Sequence, residues 1–157
     1  MNRRNFLGLL GTAGAAALVF PRRVASATGF RVSHTPGEWR RLLGAQRYSV
    51  LREAATERPF SSPLLDEHRM GTFVCAGCAL PLFSSSRKFE SGTGWPSFWQ
   101  ALPRAVVTRP DHSFLIERTE VLCTRCGGHL GHVFDDGPKP TGLRYCMNGL
   151  ALNFDRA

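Results

Sequence analysis

Five cysteines carry most of the chemistry that this 157-residue sequence offers, and four of them form two Cys-x-x-Cys pairs. Cys75 and Cys78 make the first pair and Cys123 and Cys126 the second, each beside small residues that permit a tight turn around a metal. Four thiolates at about 2.3 Å from one Zn²⁺ form a closed tetrahedral structural site. The pattern therefore predicts one structural zinc ion, provided that the fold brings the two distant pairs together.

Three other interpretations of these pairs stay open: two redox-active Cys-x-x-Cys sites, two disulfides, or iron in a rubredoxin-like site. A thioredoxin-type motif follows a strand inside a βαβ unit, and no such pattern surrounds either pair. An iron site would colour the purified protein, so a visible spectrum separates iron from zinc.

The fifth cysteine, Cys146, lies in the segment Arg144-Tyr145-Cys146-Met147-Asn148. A lone cysteine most often serves as a small buried apolar residue. Strand alternation, however, places Arg144, Cys146 and Asn148 on one face. A guanidinium favours the thiolate over the thiol, and an amide donates hydrogen bonds to it. These neighbours predict a catalytic nucleophile.

Two histidines, His129 and His132, directly follow the second cysteine pair, so an ordered metal site would fix their position. Four thiolates already complete a zinc shell, which leaves the histidines to donate protons to a substrate oxygen. Asp135 or Asp136 would orient one of them, as a third group does in many sites with an activated nucleophile. We also expect Asp136 to contact the substrate.

The segment 91–99 holds three aromatic residues, Trp95, Phe98 and Trp99, among glycines and a proline. One interpretation is core packing beneath a loop. The other is a rigid apolar wall, which accepts a small cationic or polar sulfur group through contacts with the ring faces.

The elements that must position these residues are a short helical region followed by strands. The sequence predicts a helix that begins after an N-cap at Thr35, with Pro36 at its first position and with the apolar spacing of Trp39, Leu42 and Leu43. It also predicts a helical continuation over residues 48–55. Short β-prone runs cover residues 71–74, 105–108, 113–116 and 119–122, and residues 143–154 predict a strand or hairpin arm. The predicted fold class is mainly β, a small antiparallel domain with short N-terminal helices and a structural zinc site.

The N-terminus predicts an export signal. Arg3 and Arg4 precede an apolar run over residues 6–20, which is shorter than the roughly 20 residues that a membrane span needs. Ala25-Ser26-Ala27 then offers a small-residue cleavage pattern. The paired arginines favour the twin-arginine translocase and a periplasmic location, with a signal peptide over residues 1–27 cleaved after Ala27. An ordinary Sec signal and an uncleaved anchor are the alternatives.

The formal net charge of +8 invites a nucleic-acid partner, but the distribution of that charge argues against one. Four arginines fall in the predicted signal segment, and removing them leaves +4: Arg3, Arg4, Arg22 and Arg23. A zinc ion on four thiolates carries −2, which leaves about +2. Such a surface needs no polyanion, and we expect no nucleic-acid partner.

Taken together, the motifs resemble those of the B-type peptide methionine-R-sulfoxide reductases over residues 48–154. The supporting strings are Thr-Glu-Arg-Pro-Phe at 56–60, Val-Cys-Ala-Gly-Cys at 74–78, Gly-Trp-Pro-Ser-Phe at 94–98, His-Leu-Gly-His-Val-Phe at 129–134, Gly-Pro at 137–138, and Pro-Thr-Gly-Leu-Arg-Tyr-Cys at 140–146, followed by Asn148. The resemblance implies one domain over residues 28–157, with two antiparallel sheets, its core at about 48–154 and a structural zinc on the two cysteine pairs. The Gly-Cys-Phe-Trp string of the A-type enzymes is absent, so reduction of the S epimer is not expected.

The resemblance also implies a mechanism for the reduction of peptide-bound methionine-R-sulfoxide. Cys146, with Arg144 beside it, would attack the sulfoxide sulfur and become a sulfenic acid. His129 and His132 would bind and protonate the sulfoxide oxygen. The remaining implied contacts are Trp95 against the ε-methyl group, Phe134 nearby, and Asn148 orienting the site.

One departure from the family pattern concerns recycling. Many members have a resolving cysteine in the string Gly-Cys-Gly-Trp-Pro, and Thr93 stands at that position here. With four cysteines on zinc, the Cys146 sulfenic acid would be resolved by an external thiol, from a thioredoxin-like protein or a small molecule. We expect a monomer that acts on oxidised proteins or peptides. The alternative functions are a zinc-ribbon binding module and a rubredoxin-like electron carrier, neither of which would turn over an R-sulfoxide peptide.

Overall fold

The computed structural model of the protein describes residues 29–113 and 117–157, and these ranges contain one α-helix followed by nine strands. The helix is α1 (Pro36–Glu53), and the strands are β1 (Gly71–Cys75), β2 (Pro81–Ser84), β3 (Lys88–Phe89), β4 (Ser97–Phe98), β5 (Val106–Asp111), β6 (Arg118–Cys123), β7 (His129–Phe134), β8 (Arg144–Met147) and β9 (Leu152–Arg156). The strands form two antiparallel sheets, in the orders β2-β1-β9 and β3-β4-β8-β7-β6-β5. The prediction of a mainly β fold with two antiparallel sheets is confirmed.

The helix begins where the sequence predicts. The Thr35 hydroxyl accepts a hydrogen bond from the Glu38 backbone N–H, and the Glu38 carboxylate accepts one from the Thr35 N–H, which completes a capping box. Gly44 has a non-helical φ of 69° inside α1, so the two predicted helical stretches are parts of one kinked element. Trp39 is buried, whereas Leu42 is 63% exposed, so the predicted apolar face is narrower than its spacing indicates.

Three phenylalanines fill the space between the sheets. Phe73 of β1 and Phe83 of β2 pack against Phe98 of β4, with ring centroids 4.9 Å and 4.4 Å away. All three are fully buried, and each contributes about 1.5–3 kcal/mol of hydrophobic stabilisation. This cluster joins the sheet that contains Cys75 to the sheet that contains Cys123.

The chain crosses between sheets in the segment that the sequence predicts as one strand or hairpin arm, residues 143–154, and that prediction is wrong. β8 lies in the six-stranded sheet and β9 in the three-stranded sheet, separated by a 3₁₀ turn at Gly149–Ala151. The turn redirects the chain directly after Cys146. The predicted strands at 71–74, 105–108 and 119–122 fall within or overlap β1, β5 and β6.

Two predictions fall on residues that the structure does not describe. The signal peptide over residues 1–27 lies outside the described ranges, as do residues 114–116 of the predicted strand at 113–116. Among the helices of the described part, none has both the length and the apolar character needed to cross a membrane.

Candidate active site and metal centre

The four paired cysteines meet at one point, although their strands belong to different sheets. Their sulfur atoms all lie within 4.8 Å of one another, with 3.7 Å between Cys75 and Cys126 and 3.5 Å between Cys78 and Cys123. Bonds of 2.3 Å to a tetrahedral zinc would separate the sulfurs by about 3.8 Å. All four are free thiols here, at distances well beyond a disulfide bond. The donor set and its spacing therefore fit a single tetrahedral metal ion.

Helix α1 covers this cluster. The Arg52 guanidinium donates a hydrogen bond to the Cys126 carbonyl oxygen at 2.9 Å, and it lies over the Trp39 ring at 4.9 Å. Arg125, which lies between the two cysteines of the second pair, donates a hydrogen bond to the carbonyl oxygen of Cys78 in the first pair, at 3.0 Å. These contacts hold both cysteine turns in place and connect them to the N-terminal helix.

A separate small cavity of about 110 Å³ surrounds the fifth cysteine. It is lined by five residues that the sequence singles out, Trp95, His132, Phe134, Cys146 and Asn148, and by three others, Thr56, Gly131 and Arg118. Cys146 and His132 are paired across β8 and β7. The cavity thus combines a half-buried thiol, an imidazole and aromatic walls.

The position of Cys146 depends on a close approach of β7 to β8. Gly131 has a φ of 154°, and a Cβ atom there would overlap the carbonyl oxygen of Cys146. Glycine is therefore the residue that lets the histidine strand lie against the nucleophile strand.

Burial dominates the electrostatics of the candidate nucleophile and raises the pKa of the Cys146 thiol. Hydrogen bonding from Thr93, whose hydroxyl oxygen lies 3.8 Å from the sulfur, and the charge of Arg144 both oppose this rise. The expectation that Arg144 favours the thiolate is correct in sign, but burial outweighs it.

Arg144 is also engaged elsewhere. Its guanidinium donates two hydrogen bonds to the Asp136 carboxylate, both at 2.8 Å, and lies over the Phe134 ring at 4.4 Å. Asp136 is exposed and does not line the cavity. In this structure it holds Arg144 against a cavity wall, and its predicted contact with substrate stays a prediction.

His129 and His132 come together through an irregularity in their strand. Residues three apart in a regular strand point to opposite faces. The register between β6 and β7 shifts at Val121/Leu122, so the strand holds an extra residue between the two histidines. Their ring centroids are 5.4 Å apart, in an edge-on arrangement. His132 lines the cavity, and His129 is buried behind it.

The acids that orient the histidines are not the ones predicted. Asp135 and Asp136 were expected because they are close in sequence, but Glu120 and Asp111 hold the rings, since the order β5-β6-β7 brings these acids beside β7. His129 Nδ1 lies 2.7 Å from a Glu120 oxygen, and His132 Nε2 lies 2.8 Å from an Asp111 oxygen.

Both acids are ionised at neutral pH. The pKa of Asp111 is lowered by hydrogen bonds from Ser113 and from His132. Burial opposes ionisation of Glu120, but Arg109 and His129 together hold its pKa below the usual value. The pKa of His129 is lowered because burial disfavours its cation. His129 is therefore a neutral ring fixed by a carboxylate.

Glu57 fastens the other side of the cavity. Its carbonyl oxygen accepts a hydrogen bond from the Trp95 indole at 3.2 Å, and its N–H donates to the Asn148 side-chain oxygen at 3.0 Å. Its buried carboxylate accepts from the N–H groups of Gly149 and Leu150. The predicted hydrogen bond from Asn148 to the thiolate is not present; its NH₂ donates to the Leu130 carbonyl oxygen instead.

The aromatic cluster 91–99 divides between the two interpretations. Phe98 belongs to the core, whereas Trp95 is a cavity wall. Trp99 is half-buried with the Arg87 guanidinium 5.6 Å from its ring.

Sequence reasoning assigned no role to Thr56, Glu57, Asp111, Arg118 and Glu120. Thr56 and Glu57 stand in the string Thr-Glu-Arg-Pro-Phe that supports the resemblance, and Glu120 is a carboxylate within a β-prone apolar run. Asp111 and Arg118 reach the site through the pairing of β5, β6 and β7.

The fold and this site point to a class of protein: a thiol-dependent oxidoreductase with a half-buried cysteine at a cavity, separate from four clustered cysteines that could bind a metal ion. The SelR domain matches residues 43–156 of the chain. The chain belongs to the SelR family, that of the B-type methionine sulfoxide reductases.

Three relatives illustrate the similarity, and each bears the name peptide methionine sulfoxide reductase MsrB. The protein from Thiobacillus denitrificans is 54% identical over 121 residues, which cover 76% of this chain and 92% of that protein. The one from Bradyrhizobium diazoefficiens is 53% identical over 136 residues, or 86% and 98% of the two chains. The one from Leptospira interrogans is 48% identical over 128 residues, which cover 81% of this chain and 98% of that protein.

Proposed function

We propose that Cys146 carries out the reaction of this family, the reduction of peptide-bound methionine-R-sulfoxide to methionine. The observation that carries the assignment is the pairing of Cys146 with His132 at a cavity walled by Trp95 and Phe134. The test is a reductase assay on resolved epimers of a sulfoxide peptide, with dithiothreitol as reductant. We expect turnover of the R epimer alone, and turnover of neither epimer would overturn the assignment.

In the first step, the Cys146 sulfur attacks the sulfoxide sulfur and takes over its oxygen. The S–O bond of the substrate breaks, the substrate sulfur is reduced to the thioether, and Cys146 is oxidised to a sulfenic acid. The thiol supplies the proton that the sulfenic acid finally carries, so atoms and electrons balance. Burial raises the pKa of the Cys146 thiol, whereas Arg144 and the Thr93 hydroxyl lower it and so favour the thiolate that attacks.

The two histidines have different roles while the oxygen is transferred. His132 lines the cavity and is held by an ionised Asp111, so its ring stays oriented towards the nucleophile strand. We assign to it the hydrogen bond that stabilises charge on the departing oxygen. His129, fixed by Glu120, packs against the His132 ring and positions it. Trp95 and Phe134 supply the apolar wall for the methyl group.

The metal that fits the four cysteines is zinc, in a structural role. The set is all thiolate and closed, which leaves no position for substrate. Zinc bound to Cys75, Cys78, Cys123 and Cys126 would tie the ends of β1 and β6 together. Cys146 lies outside this set and keeps its thiol for chemistry.

We expect the Cys146 sulfenic acid to be resolved by a thiol from another molecule. After one equivalent of sulfoxide and no reductant, the protein should lose one of its five thiols and keep its metal, because the other four are metal ligands. Thiol titration and mass spectrometry check this. A disulfide between Cys146 and any of the four paired cysteines would refute it. Thr93→Cys should create an internal disulfide, since Thr93 already contacts Cys146, and Thr93→Ser is the matched control.

We propose that residues 1–27 direct export of a monomeric mature domain, residues 28–157, to the periplasm. The support is the sequence alone: paired arginines, a short apolar run and a small-residue cleavage pattern. Changing Arg3 and Arg4 to lysine should leave the protein in the cytoplasm, because the translocase reads both guanidinium groups. Cell fractionation measures this, with lysines at Arg22 and Arg23 as the control. Unhindered export of the first variant would contradict the route.

A further inference from the structure

Phe60 combines two features that are rarely found together. Its side chain is 71% exposed, and its backbone has a φ of 60°. A bulky residue in the left-handed region is a conformational outlier, because Cβ crowds the neighbouring carbonyl group. Four non-glycine residues have positive φ in the described ranges, and Phe60 is the aromatic one among them. Burial of the ring does not explain why the chain holds this conformation.

The strain is maintained by contacts that lead to the active site. The Phe60 N–H donates a hydrogen bond to the Gly94 carbonyl oxygen at 2.7 Å. Gly94 has a φ of +91°, and a Cβ atom there would lie 2.8 Å from both the Phe60 nitrogen and Pro59 Cβ. The next residue, Trp95, is a wall of the cavity. The exposed ring of Phe60 therefore lies next to Gly94, which immediately precedes a wall of the cavity.

The cavity cannot hold more than a single side chain of a polypeptide. Its volume of about 110 Å³ is well below the roughly 300–1,000 Å³ of pockets that enclose whole ligands. The main chain and the neighbours of an oxidised methionine must therefore lie on the rim. Backbone strain that surrounding contacts maintain is concentrated at functional positions.

We propose that Phe60 is a specificity residue, which packs against an apolar side chain next to the oxidised methionine in a polypeptide substrate. This inference rests on the proposed function and extends it from the sulfoxide to its flanking sequence. Phe60 touches no reacting atom, so its effect is on the preference among substrates.

The test measures kcat/KM of the wild type and of Phe60→Asn on three substrates. Asparagine tolerates a positive φ, so the variant should unfold at the wild-type temperature or above it. The substrates are N-acetyl-methionine-R-sulfoxide amide, a hexapeptide with leucines flanking the sulfoxide, and the same peptide with serines. In Phe60→Asn we expect the ratio of kcat/KM for the leucine peptide to kcat/KM for the acetyl amide to fall about tenfold below the wild-type ratio. The fall should come mainly from a higher KM for the leucine peptide. The serine peptide should show a smaller loss, and Phe60→Tyr should retain the leucine preference.

Leu42→Asn is the matched control, since Leu42 is 63% exposed on α1. It should leave the ratio between substrates unchanged. An equal loss on all three substrates, or no loss on any, would overturn the role of Phe60. Failure of the wild-type protein to reduce even the acetyl amide would instead overturn the proposed function, and the role of Phe60 with it.

Discussion

Replacing Cys146 with serine is expected to lower kcat/KM for an R-sulfoxide peptide by at least about 10⁴-fold, the scale of loss when a nucleophile is removed. A serine hydroxyl cannot accept the sulfoxide oxygen as a sulfenic acid, because that step requires oxidation of sulfur. Neither histidine can replace it, because an imidazole has no sulfur atom that can be oxidised to take up the sulfoxide oxygen. The measurement is methionine formation with excess dithiothreitol.

The same variant should keep its fold and its metal. Cys146 is half-buried at a cavity, away from the four clustered cysteines, and serine differs from it by one atom. Zinc content and melting temperature should therefore stay near those of the wild type. Full activity in Cys146→Ser would show that another residue is the nucleophile and would refute the assignment of Cys146.

Much of the fold was predictable because local patterns specify it. The capping box at Thr35 marks the start of α1, and alternation with glycine and proline breaks marks strands. Leu42 shows the limit of such patterns. Both Leu42 and Leu43 fit the apolar spacing from Trp39, but only Leu43 packs against the core, because a helix of this length buries a narrow stripe.

The site was predictable where its members are close in the chain. Cys146, Arg144 and Asn148 share one strand and its end, and the two histidines share another. What could not be predicted is the set of partners. Glu57 reaches Asn148 across 91 positions of sequence.

Burial was also beyond local prediction. The sequence places Arg144 beside Cys146, but it shows neither the removal of the thiol from water nor the pairing of Arg144 with Asp136. Burial is the feature that reverses the expected direction of the Cys146 pKa shift, since Arg144 still favours the thiolate. The sequence shows which charged residues lie near Cys146 in the chain, whereas the fold determines how far its thiol is exposed to solvent.

Replacing Cys123 with serine is expected to abolish metal binding and most of the folded population. Cys123 is fully buried at the end of β6, and its sulfur lies 3.5 Å from that of Cys78, which follows β1. A structural zinc site is worth roughly 10–16 kcal/mol in small zinc domains. That is comparable to the whole stability of about 5–15 kcal/mol of an ordinary domain.

The physical reason is that a metal ion on these four cysteines would join two sheets that also pack against each other through Phe73, Phe83 and Phe98. Without zinc, the three remaining thiolates would repel one another, so the thiols would protonate and the two turns would separate. Circular dichroism on heating and metal analysis of the same sample measure both effects, with Cys146→Ser as the matched control because it removes a thiol outside the cluster. Chelation of wild-type protein should reproduce the Cys123→Ser result. If Cys123→Ser instead retained one zinc per chain and a cooperative transition at the wild-type temperature, the four cysteines would not be the metal centre that holds the sheets together.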